Sequence, residues 1–545
     1  MKTLLTTLNS KYIHKSLSLR LLYVACKNKH DIDFKEYTIK DSLTHIVDDI
    51  LQQNIDIVGL SVYIWNIEHM QQICSMLKEK KPDIIIVLGG PEVSYDIDYF
   101  LDNFTIDYVI SGEGEEALSL LLEQLKLKQE VAVQGISSKD KRDYQQTKII
   151  DLSYIESLDS PYTLERDVED MSNRLLYFET SRGCPYKCQY CLSSLEKGLR
   201  FFSKEYIITQ LEQILESGVK TIKFLDRSFN AKTEHALFIL EYLSTHYKEG
   251  MQFQFEINAD VLDQRIMDFM KYKAPKNVFR FEIGIQSTYE PTNKIVKRYQ
   301  DFERLSEVIQ QLQDNETVDL HLDLIAGLPL ENLERFSKSF DDVFAFYPKE
   351  LQLGFLKLLR GTSLRKEYES YGYQFQEQAP YEITKSDDLS EQDIIDIHTA
   401  EDMLEKYWNS GKLPLTMKYL VSKAPSVFYL FLGIGNYYKE NQFKRLHFQN
   451  DELFSYLYQY TKEHNIDVLD LLMEDYLRLS KVKPKRWWES KLTKEEIKHR
   501  THELIETHQL SQELVFRYGM LERGTNYDIL AIYKDYQVTI YKFPI

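Results

Sequence analysis

Cysteine is scarce in this chain, five in 545 residues. The number is odd and Cys184, Cys188 and Cys191 crowd together, so no disulfide framework is encoded. Long apolar runs are missing too: the longest, such as 427–434, fall well short of the ~18 residues that suggest a membrane span. The opening stretch is too short and too threonine-rich for a signal-peptide core. Positive charge is in deficit, with 67 basic against 85 acidic residues and a net charge of −18. That balance matches a phosphate backbone poorly and argues against nucleic acid as a partner. Neither an internal repeat nor a low-complexity tract is present. What remains is ordinary, 43% hydrophobic and 28% charged, the composition of a soluble folded chain of roughly three to four domains. The expectation is a reduced, cytoplasmic protein with no membrane association.

Residues 1–135 alternate short apolar runs with amphipathic stretches, which predicts a Rossmann-like parallel sheet with crossover helices. Strands are expected at 3–8, 33–38, 56–63, 84–88 and 108–110, with helices at 16–27 and 67–80 among the connections. Such sheets bind ligands at the carboxyl ends of their strands. There the chain reads Gly89-Gly90-Pro91-Glu92 and Ser111-Gly112-Glu113-Gly114-Glu115, with glycine where backbone turns sharply or approaches a ligand closely. Residues 136–170 are polar and irregular and read as a linker.

A second alternating series occupies 171–370, with strands expected at 175–180, 221–225, 252–257, 278–285, 318–325 and 351–358. Six strand–helix units predict an open, partial (β/α)6 TIM-like barrel rather than a closed eight-unit one. Residues 371–545 are mainly helical. Ser390 with Asp393 reads as a capping box, Ile397, Ala400, Leu404, Tyr407 and Trp408 as an apolar stripe, and Gly411 as its stop. The stretch 528–543 reads as a small strand pair. Trp487-Trp488, beside Lys485 and Arg486, reads as core packing, and Cys26 and Cys74 as buried small apolar side chains. The fold class is α/β throughout the first two domains, with a helical third.

The chemistry concentrates in Ser181-Arg182-Gly183-Cys184-Pro185-Tyr186-Lys187-Cys188-Gln189-Tyr190-Cys191, directly after the first strand of the second series. Three thiolates at C-x3-C-x2-C spacing can hold three irons of a 4Fe-4S cube, and no fourth cysteine lies nearby. One iron would then keep an open position for a ligand. Zinc is the other reading of clustered thiols, but it commonly draws four ligands in paired elements, and no second pair exists here.

This motif resembles that of the radical S-adenosylmethionine (SAM) superfamily, including the aromatic Tyr190 before the last cysteine. The resemblance implies that the open iron chelates the amino and carboxylate groups of SAM. Electron transfer, from an external reductant such as a flavodoxin or ferredoxin, then splits the sulfonium to a 5′-deoxyadenosyl radical. It also implies a SAM pocket built by Tyr190 and by later strand ends. Asp226 and Arg227 stand where the family has a Gly-Gly-Glu stretch that meets the SAM amino group. Glu282, Gln286 and Ser287 end the fourth strand, and Ile325 and Gly327 belong to a fifth-strand motif that packs on adenine. From the residues alone, Asp226 and Arg227 read equally as an internal ion pair.

The Gly-Gly-Pro-Glu and Gly-Glu-Gly-Glu strand ends, ahead of such a barrel, are similar to the cobalamin-binding domains of one large radical SAM class. That resemblance covers about residues 1–370. It implies cobalamin contacts from Ser61, Gly89, Gly90, Pro91, Glu92, Gly112, Glu113 and Gly114. The Asp-x-His-x-x-Gly loop that gives cobalt a histidine in other cobalamin proteins is absent, and His14 reads as a polar residue at a helix start. The region after 370 resembles a C-terminal domain of unknown function found on bacterial proteins of this layout. The resemblance implies a cobalamin-dependent radical SAM enzyme, a methyltransferase acting at an unactivated carbon of a small molecule or peptide. Radical cyclisation, rearrangement or oxidation without methyl transfer is the alternative, followed by a non-catalytic iron–sulfur protein. A tRNA methylthiotransferase is disfavoured, because the N-terminal domain lacks the extra cysteine trio and the chain is acidic.

Overall fold

In the computed structural model, which describes every residue except Lys197, the apolar runs of the first 135 residues become one sheet. Strands β1 (Lys2–Asn9), β2 (Asp31–Thr38), β3 (Ile57–Ser61), β4 (Ile85–Gly89) and β5 (Tyr108–Ile110) are parallel, in the order β2-β1-β3-β4-β5. The polar stretch after them opens with β6 (Ile136–Ser137), which adds antiparallel to β5. Alternate residues of each strand face opposite layers of helices. Leu4 and Leu8 pack with Ile46, Ile50, Met70 and Ile73, while Leu5 packs with Leu19, Cys26, Leu118 and Leu121. Strands β1, β3 and β4 are accordingly buried nearly end to end, as parallel strands covered on both faces must be. Cys26 and Cys74 are fully buried in these layers, and burial pushes the Cys26 thiol up to about 12.

The second sheet has six strands, β7 (Leu175–Phe178), β8 (Thr221–Phe224), β9 (Gln252–Ile257), β10 (Phe279–Gln286), β11 (Val318–Ala326) and β12 (Glu350–Phe355), neighbouring one another in chain order. Its edges are β7 and β12, so the barrel is open. Here burial alternates. Phe253, Phe255, Phe279, Phe281 and Ile283 enter the apolar layer, while Lys223, Gln254, Glu256, Glu282 and Asp323 hold the half-buried inner face.

Packing divides the chain into two units, Met1–Glu331 with Gly354–Ser390, and Asn332–Leu353 with Glu391–Ile545. In the second, Phe340 and Phe344 of helix Leu333–Phe344 meet Phe428 and Phe431 of helix Val427–Glu440. Asp341 accepts from the backbone N–H of Val427 and Phe428 at 2.8 and 2.9 Å, supplying a carboxylate to that helix's N-terminus. The stripe Ile397, Ala400, Leu404 and Tyr407 is buried, but the helix Glu391–Met403 passes into a π turn, Leu404–Asn409, before Gly411. The tail holds three antiparallel strands rather than a pair: β13 (Gly519–Arg523), β14 (Tyr527–Lys534) and β15 (Gln537–Pro544). The extra strand follows directly on helix Gln512–Tyr518, with no break in the pattern to announce it. Trp488 is buried and donates its indole N–H to Glu522 at 3.1 Å. Among the described residues no helix is long and apolar enough to cross a membrane.

Candidate active site at the strand ends

The cysteine loop leaves β7 through Thr180 and Ser181 and turns at Gly183, φ 93°. A Cβ at Gly183 would fall 1.9 Å from the Gly198 carbonyl oxygen, so only glycine lets these two stretches pass. Cys184 and Cys191 are half-buried, Cys188 is buried, and all three thiols are free. Burial is the main cause that raises the Cys184 thiol, and the other two sulfurs add to it. The loop is pinned at its centre, where the Gln189 N–H donates to the Val296 carbonyl at 2.9 Å and its own carbonyl accepts from Leu364 at 3.1 Å. Among the described residues no three Cys, His, Asp or Glu side chains are grouped so as to hold a metal ion. What fits a polynuclear iron–sulfur cluster is the chemistry of the donor set, three free thiols on one loop.

Beneath the loop lies Asp226, fully buried. Its carboxylate accepts from the Thr180 N–H at 3.1 Å, the Thr180 hydroxyl at 2.6 Å and the Ser181 hydroxyl. Because Thr180 gives its proton to Asp226, His235, 2.8 Å from Thr180 Oγ1, is the donor through Nε2. Burial keeps that imidazole neutral, lowering it to about 4, and pushes the Asp226 carboxyl up to about 6. The ion-pair reading of Asp226 does not hold: its oxygens tie down the base of the cysteine loop, and it forms no ion pair with Arg227. Arg227 is exposed and without an ion pair among the described residues, facing Glu256 and Glu196.

Inside the barrel, Glu282 meets Lys223 at 2.6 Å. Glu256 stands in register beside Glu282 on the neighbouring strand, and burial raises its carboxyl. His321 reaches Asp323 at 2.8 Å, and Ile325 lies half-buried in the same strand. Gln286 ends β10 with φ 68°, and its buried Oε1 has no partner among the described residues. The Ser287 hydroxyl donates to Glu331 at 2.9 Å. Gly327, φ 92°, permits a close approach, since a Cβ there would lie 2.0 Å from Ile383. Tyr190 has its hydroxyl buried. Sequence reasoning missed Lys223 and Glu256. Charges at alternate positions of apolar strands could have found both.

At the first sheet, a Cβ on Gly89 would meet nothing within 4 Å, while Gly90, φ 112°, backs onto the Val62 carbonyl. Next to them, at the end of β5, the Ser111 hydroxyl is buried without a partner among the described residues. Ser61 is buried at the end of β3, its carbonyl accepting from Thr7 Oγ1 at 2.9 Å. An open glycine beside an unanswered hydroxyl is a cradle that fits a polar ligand edge, and these residues therefore suit cobalamin. Two carboxylates beside them already have partners within the protein. Glu92 accepts from the Tyr381 hydroxyl at 2.6 Å, with Arg360 at 3.3 Å. Glu113 takes the Ile150 N–H at 2.7 Å and pairs with Arg200. Both turn into the protein, because partners far along the chain satisfy them there. Gly112 is closed over by Thr147, 2.6 Å from an added Cβ, and Gly114 abuts Leu22 at 3.1 Å, leaving Pro91 exposed. His14 Nδ1 lies 2.9 Å from the Tyr177 hydroxyl.

Three family profiles match the chain in turn: a B12 binding domain over residues 4–122, the Radical SAM superfamily over 178–343, and a protein of unknown function (DUF4080) over 369–543. The chain thus carries a B12-binding domain followed by a radical SAM domain. Among curated proteins, it is similar to the 2-(S-pantetheinyl)-carbapenam-3-carboxylate methyltransferase of Streptantibioticus cattleyicolor, 26% identical over 296 residues. The match takes in 52% of this chain and 44% of that protein, so it spans less than half the relative's length. Two solved structures share the fold. The cobalamin-dependent SAM radical enzyme OxsB, with aqua-cobalamin bound, superposes with a TM-score of 0.61 at 16% identity, over 93% of this chain and 80% of that one. The radical SAM methyltransferase TsrM from Kitasatospora setae, with cobalamin and a [4Fe-4S] cluster bound, gives 0.58 at 14% identity, over 70% and 79%.

Proposed function

We propose that this radical SAM protein is a cobalamin-dependent methyltransferase that acts on an unactivated carbon of a small molecule or peptide. The observation that carries the reading is the free Cys184–Cys188–Cys191 trio at the carboxyl end of the first barrel strand, in one chain with a strand-end cradle at Gly89 and Ser111. The cluster, when bound, supplies the electron that cleaves SAM, and cobalamin supplies the methyl group to be transferred. Everything else falls to the chain. Cys184, Cys188 and Cys191 hold three irons, and the Asp226–Thr180–Ser181 bonds keep the loop's base rigid against the barrel. Gln286, with an acceptor oxygen left unanswered, is the strand-end group fitted to bind SAM. Lys223, Glu256 and Glu282 line the inner face, where a substrate is oriented. The apolar layer around them keeps water from the reacting groups.

The test is product analysis under anaerobic reduction with SAM and hydroxocobalamin. Formation of both 5′-deoxyadenosine and S-adenosylhomocysteine is expected, since one SAM is cleaved and another donates its methyl. 5′-Deoxyadenosine alone would replace methyl transfer with cyclisation, rearrangement or oxidation. Neither product, from protein that has taken up iron, would leave a non-catalytic iron–sulfur protein.

A further inference from the structure

Just ahead of Cys184, the side chain of Arg182 reaches across to the first sheet. The pair Ser181–Arg182, where the cysteine loop begins, lies antiparallel to Arg200–Phe201, where the chain returns from it, and Arg182 stands directly opposite Arg200. Like charges opposite one another on paired strands repel. Both are answered from the end of β5. Arg182 Nη2 meets Glu115 at 2.7 Å, its Nη1 lies 3.5 Å from Glu113 Oε1, and Arg200 pairs with that same oxygen. A third carboxylate, Glu179, closes on Arg182 at 2.7 Å from its own segment. The Arg182 and Glu115 side chains are only 12% and 8% exposed, so salt screens this pair weakly.

The loop that carries Glu113 and Glu115 is held along its length. The Ser111 N–H donates to the Gly135 carbonyl at 2.9 Å, and the Ser111 carbonyl accepts from the Thr147 N–H at 2.8 Å. Thr147 Oγ1 donates to the Glu113 carbonyl at 2.8 Å, and a Glu113 side-chain oxygen accepts from the Ile150 N–H at 2.7 Å. Such a loop has two working ends. At Ser111 a buried hydroxyl without a partner among the described residues belongs to the cradle that suits cobalamin. At Glu113 and Glu115 two carboxylates grip the neck of the loop with the three cysteines. The two sheets are separate, so bonds that cross from one strand-end rim to the other set how far apart the rims stand. Arg360 makes a second crossing, to Glu92 at 3.3 Å and to Asp96, but from beyond β12.

We propose that Arg182 is a positioning residue that fixes the separation of the two cofactor sites, by tying the cysteine loop to the strand-end loop Ser111–Glu115. The inference rests on the two-cofactor reading above. Methyl transfer on that reading needs both cofactors to serve one substrate, and a misplacement of about 1 Å can cost an oriented reaction about a hundredfold in rate. A guanidinium suits the task. Its planar fork takes several carboxylates in fixed directions, whereas a lysine ammonium is a point charge on a flexible stem.

The experiment loads full-length wild type, Arg182→Gln, Arg182→Lys and Glu115→Gln anaerobically with iron, sulfide and hydroxocobalamin, and measures iron and cobalt per chain. Each protein is then reduced with dithionite, and the magnetic coupling between cob(II)alamin and the reduced cluster, both paramagnetic, reports their separation by EPR. R182Q is expected to move the mean separation by about 1 Å or more, or to spread it by as much. R182K, which keeps the charge, is expected to move it less than R182Q does. R182Q that loads both cofactors and keeps the wild-type separation would overturn the inference. Should R182Q fail to load, E115Q decides, because it leaves every residue of the cysteine loop in place: a changed separation supports the tie, and an unchanged one overturns it. Loading lost in both variants would make the contact a requirement of folding rather than of positioning, and overturns the inference too. Wild type that takes up no iron or no cobalt would sink the two-cofactor reading itself, and this inference with it.

Discussion

The two parallel sheets of the first unit bury themselves in opposite ways. Strands β1, β3 and β4 are apolar and enclosed on both faces, which leaves that sheet only its strand ends with which to meet a ligand. Strands β9 and β10 alternate, and their inner face carries Glu256, Glu282 and Arg280 opposite an apolar layer of phenylalanines. A sheet with one charged, enclosed face offers its interior as well as its rim. In the first sheet, Glu92 and Glu113 are tied to partners within the protein and Gly89 faces open space; in the second, Asp226 is tied to Thr180 and Ser181 while the inner face keeps its charges.

Substitutions can break this contrast. The largest change in stability is expected at Asp226. Its carboxyl titrates at about 6 in the folded state against an ordinary 3.8, so it adds stability below about pH 4 that is lost as pH rises through 6. Relative to Asp226→Asn, wild type should therefore lose up to about 3 kcal/mol of unfolding free energy across that window. Denaturant melts at several pH values measure it, and parallel curves would remove the buried-clamp assignment. Glu92→Gln follows. Loss of its charge beside Arg360 is expected to lower stability by about 1–3 kcal/mol, with cobalamin uptake within a few-fold of wild type. If uptake collapses while stability holds, Glu92 is a ligand contact after all. Ser111→Ala is the smallest effect. Removing a buried hydroxyl that lacks a partner should leave the protein unchanged or up to about 1 kcal/mol more stable, while cobalamin binding weakens several-fold.

Much of this was legible beforehand. Period-2 and period-3.6 apolar patterns placed the strands of both sheets, and three cysteines in C-x3-C-x2-C spacing marked the loop, because both signals are local. The partners that hold the rim carboxylates are non-local. Glu92 is satisfied by Tyr381, 289 positions away, and Glu113 by Arg200, 87 positions away; no window of sequence joins those partners. The three donors to Asp226 lie one strand earlier, at Thr180 and Ser181.

The central claim is that one chain holds two metal cofactors at two separate strand ends. It is tested most directly by iron and cobalt per chain after anaerobic reconstitution and gel filtration, in wild type, Cys188→Ala and Gly89→Val. The account expects about four irons and one cobalt in wild type, cobalt retained and iron lost in C188A, and iron retained and cobalt lost in G89V. The added side chain of G89V enters space that is open in the protein. Wild type without cobalt, or a G89V that loses iron and cobalt together, would contradict it.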